Sequence, residues 1–241
     1  MQNRTKSPPL RHAGEWCVRQ AGDMSKLKAA LLLFLFYGGV YGTALSSDNE
    51  AISFDAFGQL YLKGKATQKD LIKLLKNKNI YEIEMGIRFS KRECKKLDCK
   101  RIYSDIWVNN STNRYILDYE KLNHPIIKLA IASVLGSNRN GENEYYKYIK
   151  DYIELNDEET IEHAIIALGS VGNIGDIKPL IELLKDNNFA HITPAALAVL
   201  SIEYEAGKVA LNDLKKLKSM KKKQKDTIDS IIKHYKQRPV R

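Results

Sequence analysis

The sequence predicts an all-α protein built from repeated helix pairs, and two observations carry that prediction. Apolar residues recur at i, i+3, i+4 and i+7 in Ile161, Ala164, Ile165 and Leu168, and again in Ile177, Leu180, Ile181 and Leu184, the stripe of an amphipathic helix. The segments SVLGSN, ALGSVG and AVLSIE also align on Leu135, Leu168 and Leu200, at spacings of 33 and 32 residues. Such self-similarity is the mark of a solenoid. Each segment follows an Ala-rich apolar stretch (LAIASVL, HAIIAL, PAALAVL), where small residues let a neighbouring helix approach closely. Each precedes a second amphipathic stretch: NEYYKYIKDYI, DIKPLIELLKD or VALNDLKKLK.

Between the two best-defined helices lies ALGSVGNIGDIKPL, in which Gly169, Gly172 and Gly175 form a G-x-x-G-x-x-G run. A phosphate-cradling loop needs a strand before its glycines and a Lys-Ser/Thr ending. Here a helical stripe comes before, and Asp176 with Pro179 marks the start of another helix after. The run is therefore expected to be the turn of a helix pair, with Gly172 and Asn173 suited to positive φ.

Along the chain of 241 residues, 1–23 lack periodicity and read as an extension outside the fold. Residues 24–46 combine Lys26 and Lys28, an apolar run and small residues at Ala44 and Ser46, the pattern of a secretory signal peptide. An uncleaved anchor over 29–45 is the alternative, although the run is short for a span and holds Gly38 and Gly39. Residues 47–66 read as irregular, and the repeat domain as 67–241. DLIKLLKNKNIYEIEMGIRFS at 70–90 is a fainter repeat, matching 179–199 without a gap. The pattern is interrupted at 101–123, where Tyr103, Ile106, Trp107, Val108 and then Tyr115, Ile116 and Leu117 flank NNSTN. That reads as an inserted β-hairpin near 101–119 or a long loop, with N-x-S/T sequons at Asn109 and Asn110. A capping helix is expected over 226–236, with Ile228, Ile231, Ile232 and Tyr235 on its stripe.

These repeats resemble the HEAT-like repeats of α-solenoid proteins, especially the short variety also found in phycobilin lyases. The likeness is best over 124–220, weaker over 67–92 and absent from 47–66. It implies stacked helix pairs whose second helices line a concave face, and it specifies no activity.

Charge is segregated rather than spread. Residues 47–123 hold fifteen Lys/Arg against eleven Asp/Glu, 124–205 six against thirteen, and 206–241 twelve against three. The basic end could meet nucleic acid or anionic lipid, or be a solvated face. Loss of the leader would remove Cys17 and leave Cys94 and Cys99, a disulfide candidate in KRECKKLDCKR. Five residues of straight helix rise too far for that bond, so it requires a helix end or loop between them.

No triad or metal spacing emerges. Glu159 and His163, four apart, have no second ligand pair, and His124, His191 and His234 stand alone. No catalytic residue, metal or cofactor is expected. Placing NEYYKYIKDYI on the next repeat makes Tyr145, Tyr148, Ile149 and Tyr152 core. Tyr146, Lys147 and Lys150 then point outward, in line with Lys178, Glu182, Lys215 and Lys216 of later repeats. That strip is the expected partner-binding surface. The expectation is a non-catalytic, exported module, periplasmic or secreted, that holds a protein partner. Membrane contact would come only through an uncleaved leader.

The alternative is a HEAT-like DNA-binding protein or DNA glycosylase-type enzyme, since one HEAT-like family comprises basic DNA glycosylases. The export signal and the acidic middle weigh against it, as does Trp107 being the sole tryptophan outside the leader. None of that family's catalytic residues can be placed here. A bilin lyase-like role would rest on repeat similarity alone.

Overall fold

A computed structural model describes residues 51–108, 121, 123–136, 143–186 and 189–235. The extension, the leader, the second arm of the expected hairpin and both sequons lie outside them. Every regular element among the described residues is helical, and none of these helices is long and apolar enough to cross a membrane. The chain divides into two compact units, whose described parts are 51–173 and 174–235.

The first unit opens with α1 (Phe54–Leu62), where the sequence suggests irregular chain. Ser53 Oγ accepts from the Ala56 N–H at 3.2 Å, and Phe54, Phe57 and Gly58 face inward. That short stripe is enough once Phe54 and Tyr61 can pack on Phe89, at ring-centroid distances of 5.7 and 4.4 Å. α2 (Gln68–Leu75) starts where the repeat is expected to begin. Thr67 and Asp70 cap it reciprocally, satisfying two donors that a helix start otherwise orphans. α3 (Ile80–Ser90) follows, then a 3₁₀ turn at Lys91–Glu93, α4 (Cys94–Leu97) and α5 (Cys99–Val108).

α5 corrects the first arm of the expected β-hairpin. Tyr, Ile, Trp and Val favour strands, but Cys99, Ile102, Tyr103 and Ile106 are buried at helical spacing. Packing of that face against α6 (Pro125–Leu135) overrides the local preference.

α6 is the centre of the unit. Eight of its eleven residues are buried, including Ile126, Ile127, Leu129 and Ile131. A helix apolar on all sides must be enclosed, and α3, α5, α7 (Glu144–Leu155) and α8 (Ile161–Val171) enclose it. α8 buries Ile161, Ala164, Ile165 and Leu168, the stripe read from the sequence.

The glycine run behaves differently from expectation. α8 ends at Val171, and Gly172 has φ −62° with ψ 161°, an extended residue that any side chain could adopt. Its N–H donates to Leu168 O at 2.7 Å. Gly169 is buried within α8, and Gly175 lies in a 3₁₀ turn at Ile174–Asp176. The run is a turn without left-handed glycines.

The second unit contains α9 (Ile177–Lys185), α10 (Ile192–Ile202), α11 (Tyr204–Lys215) and α12 (Lys222–His234). α9 buries Ile177, Leu180 and Leu184, with Ile181 half-buried. α10 repeats the role of α6: Pro194, Ala195, Ala196, Ala198, Val199 and Leu200 are buried, and α9, α11 and α12 pack on it. α12 starts four residues before the expected cap, inside the lysine run, and Tyr235 lies just past its end. Gln224, Ile228 and Ile231 form its buried face, and the lysines solvate the other side.

A single residue, Glu203, joins α10 to α11, so the two helices must turn sharply and lie close. Gly207 makes that possible: a Cβ there would sit 2.6 Å from Val199 O and 3.0 Å from Val199 C. Backbone cannot yield as a side-chain tip can. Ala normally stabilises a helix interior over Gly by roughly 0.5–1 kcal/mol, yet Gly207→Ala should destabilise by about 1–3 kcal/mol through overpacking. Urea unfolding of the two proteins side by side checks the sign.

Candidate functional site

The second unit has an open groove of about 450 Å³ between α9 and α11. Its floor is apolar because Ile177 and Ile181 project from one helix opposite Ala206 and Ala210 of the other. Alanine leaves no side chain to fill the space between the helices, so the floor stays concave. Ile174 and Leu217 line it with 65% and 38% of their surfaces exposed. Charged residues form the rim. Lys178 and Lys185 stand on one side and Asp213 on the other.

The predicted strip is split by this geometry. Lys178 lines the groove and is exposed. Glu182, also exposed, accepts a bond of 2.7 Å from Lys185. Lys216 donates to Asp213 at 2.7 Å. Lys215 instead reaches Asp229 of α12 and is not part of the groove. Such exposed pairs contribute at most about 1 kcal/mol each and serve chiefly to set local charge.

Tyr146, Lys147 and Lys150 belong to the first unit, and there the expected register of α7 is corrected. Tyr146, Ile149 and Ile153 are its buried residues, so of the expected core set Tyr145, Tyr148, Ile149 and Tyr152 only Ile149 is fully buried, and the face is rotated from the expected one. Tyr146 is only 9% exposed; its hydroxyl accepts from Asn173 Nδ2 at 3.3 Å, and Lys150 Nζ lies 5.8 Å from its ring centroid. Only Lys147 of the three is fully exposed. The displaced tyrosines gather half-buried around Trp107, whose ring lies 5.0 Å from Tyr145 and 5.3 Å from Tyr148. Trp107 sits at the end of α5, so reading that segment as a strand hid its partnership with α7. Burial and the neighbouring Tyr152 push the Tyr148 phenol up.

The strongest ionisable cluster is Glu84, Arg88 and His163. Glu84 Oε1 accepts from Arg88 Nε and contacts His163 Nδ1, both at 2.7 Å, and Arg88 Nη2 donates to His163 O at 3.2 Å. Glu159 is not on this face, since α8 begins only at Ile161 and Glu159 is exposed in the preceding turn. The i, i+4 pair of Glu84 and Arg88 could be read from α3, whereas its aim at a histidine 79 residues away depends on the fold. The cluster ties α3 to α8. Elsewhere His124 caps α6, and His234 Nδ1 donates to Ser230 O at 2.7 Å. Among the described residues no three His, Cys, Asp or Glu gather as metal ligands.

Burial alone would push Glu84 up, but Arg88 and the hydrogen-bonded His163 outweigh it and hold the carboxyl below its ordinary 4.5. Its contribution to stability is therefore complete above about pH 4.5 and lost as pH falls through the folded-state value. Glu84→Gln should cost about 3 kcal/mol at neutral pH, because it leaves Arg88 underpaired in a buried setting. It should also flatten the acid limb of stability, read as denaturation midpoint against pH. Set against known families, curated proteins and solved structures, the chain has no match in any of the three.

Proposed function

We propose that this chain is an exported, non-catalytic interaction module whose helix hairpins are the units of a HEAT-like α-solenoid, and that it holds a partner protein in the groove between α9 and α11. The observation that carries the reading is the groove itself: an apolar floor with Ile174 and Leu217 exposed beside it, rimmed by Lys178 and Lys185. Apolar surface concentrated in a concavity is what a docking helix or strand buries. The sequence repeats at spacings of 33 and 32 residues support the hairpin unit, and the apolar run before Ala44 and Ser46 supports export.

The rim selects the partner's chemistry. Lys178 has no ion pair among the described residues, and the chain beyond Ala206 is strongly basic, so the fitting occupant is an acidic amphipathic segment. A nucleic-acid track is the weaker reading. Lys185, Lys215 and Lys216 are each tied to a carboxylate, and the floor of the groove is apolar, whereas a phosphate track needs a row of free cations.

A displayed-peptide selection against the purified protein should enrich segments with apolar residues at helical spacing flanked by Asp or Glu. Ile181→Asp should weaken the selected peptides about tenfold or more, as loss of a central apolar contact does. Lys178→Glu should weaken them less and remove most of their salt dependence. Binders indifferent to both substitutions, in proteins with unchanged circular dichroism, would place recognition elsewhere.

A further inference from the structure

Cys94 and Cys99 meet the geometric condition for reacting with each other. α4 stops at Leu97, Asp98 takes a left-handed conformation at φ 52°, ψ 34°, and α5 starts at Cys99. This break folds five residues back on themselves and brings the two thiols close enough to perturb each other's ionisation, with both sulfurs free. Their surroundings differ. Cys94 is half-buried and lies just ahead of the ten-residue α5, whose first two N–H groups belong to Cys99 and Lys100. Cys99 is fully buried, and its S–H donates to Ser90 O at 3.6 Å. Beyond it Ser90 Oγ donates to Ile87 O at 2.8 Å and so must accept from the Tyr103 hydroxyl at 2.6 Å, which closes the wall behind Cys99.

We propose that Cys94 and Cys99 form a dithiol–disulfide exchange site that takes anionic low-molecular-weight disulfides, with Cys94 as the attacking and Cys99 as the resolving sulfur. Helix-terminal N–H groups favour a thiolate, and the thiolate is the nucleophile. Donation from Cys99, together with those N–H groups and the Lys100 charge, holds Cys94 below the ordinary thiol value of 9.0 despite its partial burial. The hydrogen bond to Cys94 and burial hold Cys99 up, in its thiol form.

The roles follow from access and charge. The Cys94 thiolate attacks one sulfur of the incoming disulfide, forming a mixed disulfide and expelling the first thiolate. Cys99 then gives its proton to that leaving thiolate and attacks the Cys94 sulfur. The bond from Cys94 to the adduct breaks and the second thiolate departs. The protein dithiol loses two electrons and the incoming disulfide gains them, becoming one thiol, with the proton of Cys99, and one thiolate, which takes its proton from water.

Charge sets the class of disulfide. Residues 91–101 carry six Lys/Arg against Glu93 and Asp98. Asp98 accepts from Arg101 at 2.5 Å, and Lys96 donates to Gly64 O at 2.7 Å, while Arg92, Lys95 and Lys100 are exposed. A positive rim raises the local concentration of an anionic reactant.

The test uses full-length protein carrying Cys17→Ser, treated with glutathione disulfide, acid-quenched and mapped by mass spectrometry. The expected product is the Cys94–Cys99 disulfide, with little adduct. In the same background Cys99→Ala should accumulate glutathione on Cys94, and Cys94→Ser, altering the more exposed residue, should lose reaction at Cys99 altogether. Neutral hydroxyethyl disulfide should react about threefold to tenfold more slowly, and salt should slow only the glutathione reaction. Adduct persisting on Cys94 while Cys99 is present would overturn the resolving role. Reaction at Cys99 in Cys94→Ser would overturn the order of attack, and equal rates with the neutral disulfide would overturn the anionic class.

Discussion

Everything in this chain depends on the enclosure of helices that have no polar side. α6 and α10 are short, rich in Ala, Ile and Leu, and buried around nearly their whole circumference. Neither could persist alone in water, since a helix of eleven residues gains little from propensity and much from packing. Each forms only when three or four others close round it, so the stability of each unit is cooperative. The small side chains are the means to that end. Ala130 and Ala132 in α6, and Ala195 and Ala196 in α10, shorten the distance at which neighbours pack. At Gly207 even a methyl group is too much.

Enclosure also dictates where charge is tolerated. The buried carboxylate of Glu84 survives because Arg88 and His163 complete its hydrogen bonds, without which its desolvation would be costly. Surface charges such as Glu182 with Lys185 and Asp213 with Lys216 form short i, i+3 pairs, where they contribute solubility and a local field more than stability. The groove between α9 and α11 is the place where this division relaxes. Apolar surface that in α10 would be enclosed is there left open beneath lysines.

Much of the helical framework was legible in the sequence, and the reason is periodicity. Ile161, Ala164, Ile165 and Leu168 are buried as read, because a long apolar stripe can face only one way. Three features escaped for a common reason: the deciding contact is distant. Tyr103, Ile106 and Trp107 look like strand residues until α6 and α7 are there to receive them. α7 carries seven apolar or aromatic residues on overlapping stripes, and the packing that buries Tyr146, Ile149 and Ile153 selects the rotation. α1 is too short for its pattern to outweigh background without the ring of Phe89. Of the candidate site, Lys178 could be named from the repeat alignment, but the concavity beneath it rests on two alanines that a sequence shows only as helix formers.

Departures from the repeat are where chemistry can reside in such a chain. A periodic apolar position is committed to the core, so its identity is limited to what fits its neighbours. Function needs groups free of that duty. Ala206 and Ala210 are small on the face of α11 that lies across from Ile177 and Ile181, and that leaves the groove open. The break at Asp98 costs helix hydrogen bonds and a left-handed residue, about 1–3 kcal/mol of local strain, and packing against α2 and α5 sustains it. A continuous helix would have placed Cys94 and Cys99 more than a turn apart and denied Cys94 the N–H groups at the start of α5. One interruption thus supplies both the proximity of the sulfurs and the difference between them, which is what separates a reactive pair from two buried thiols.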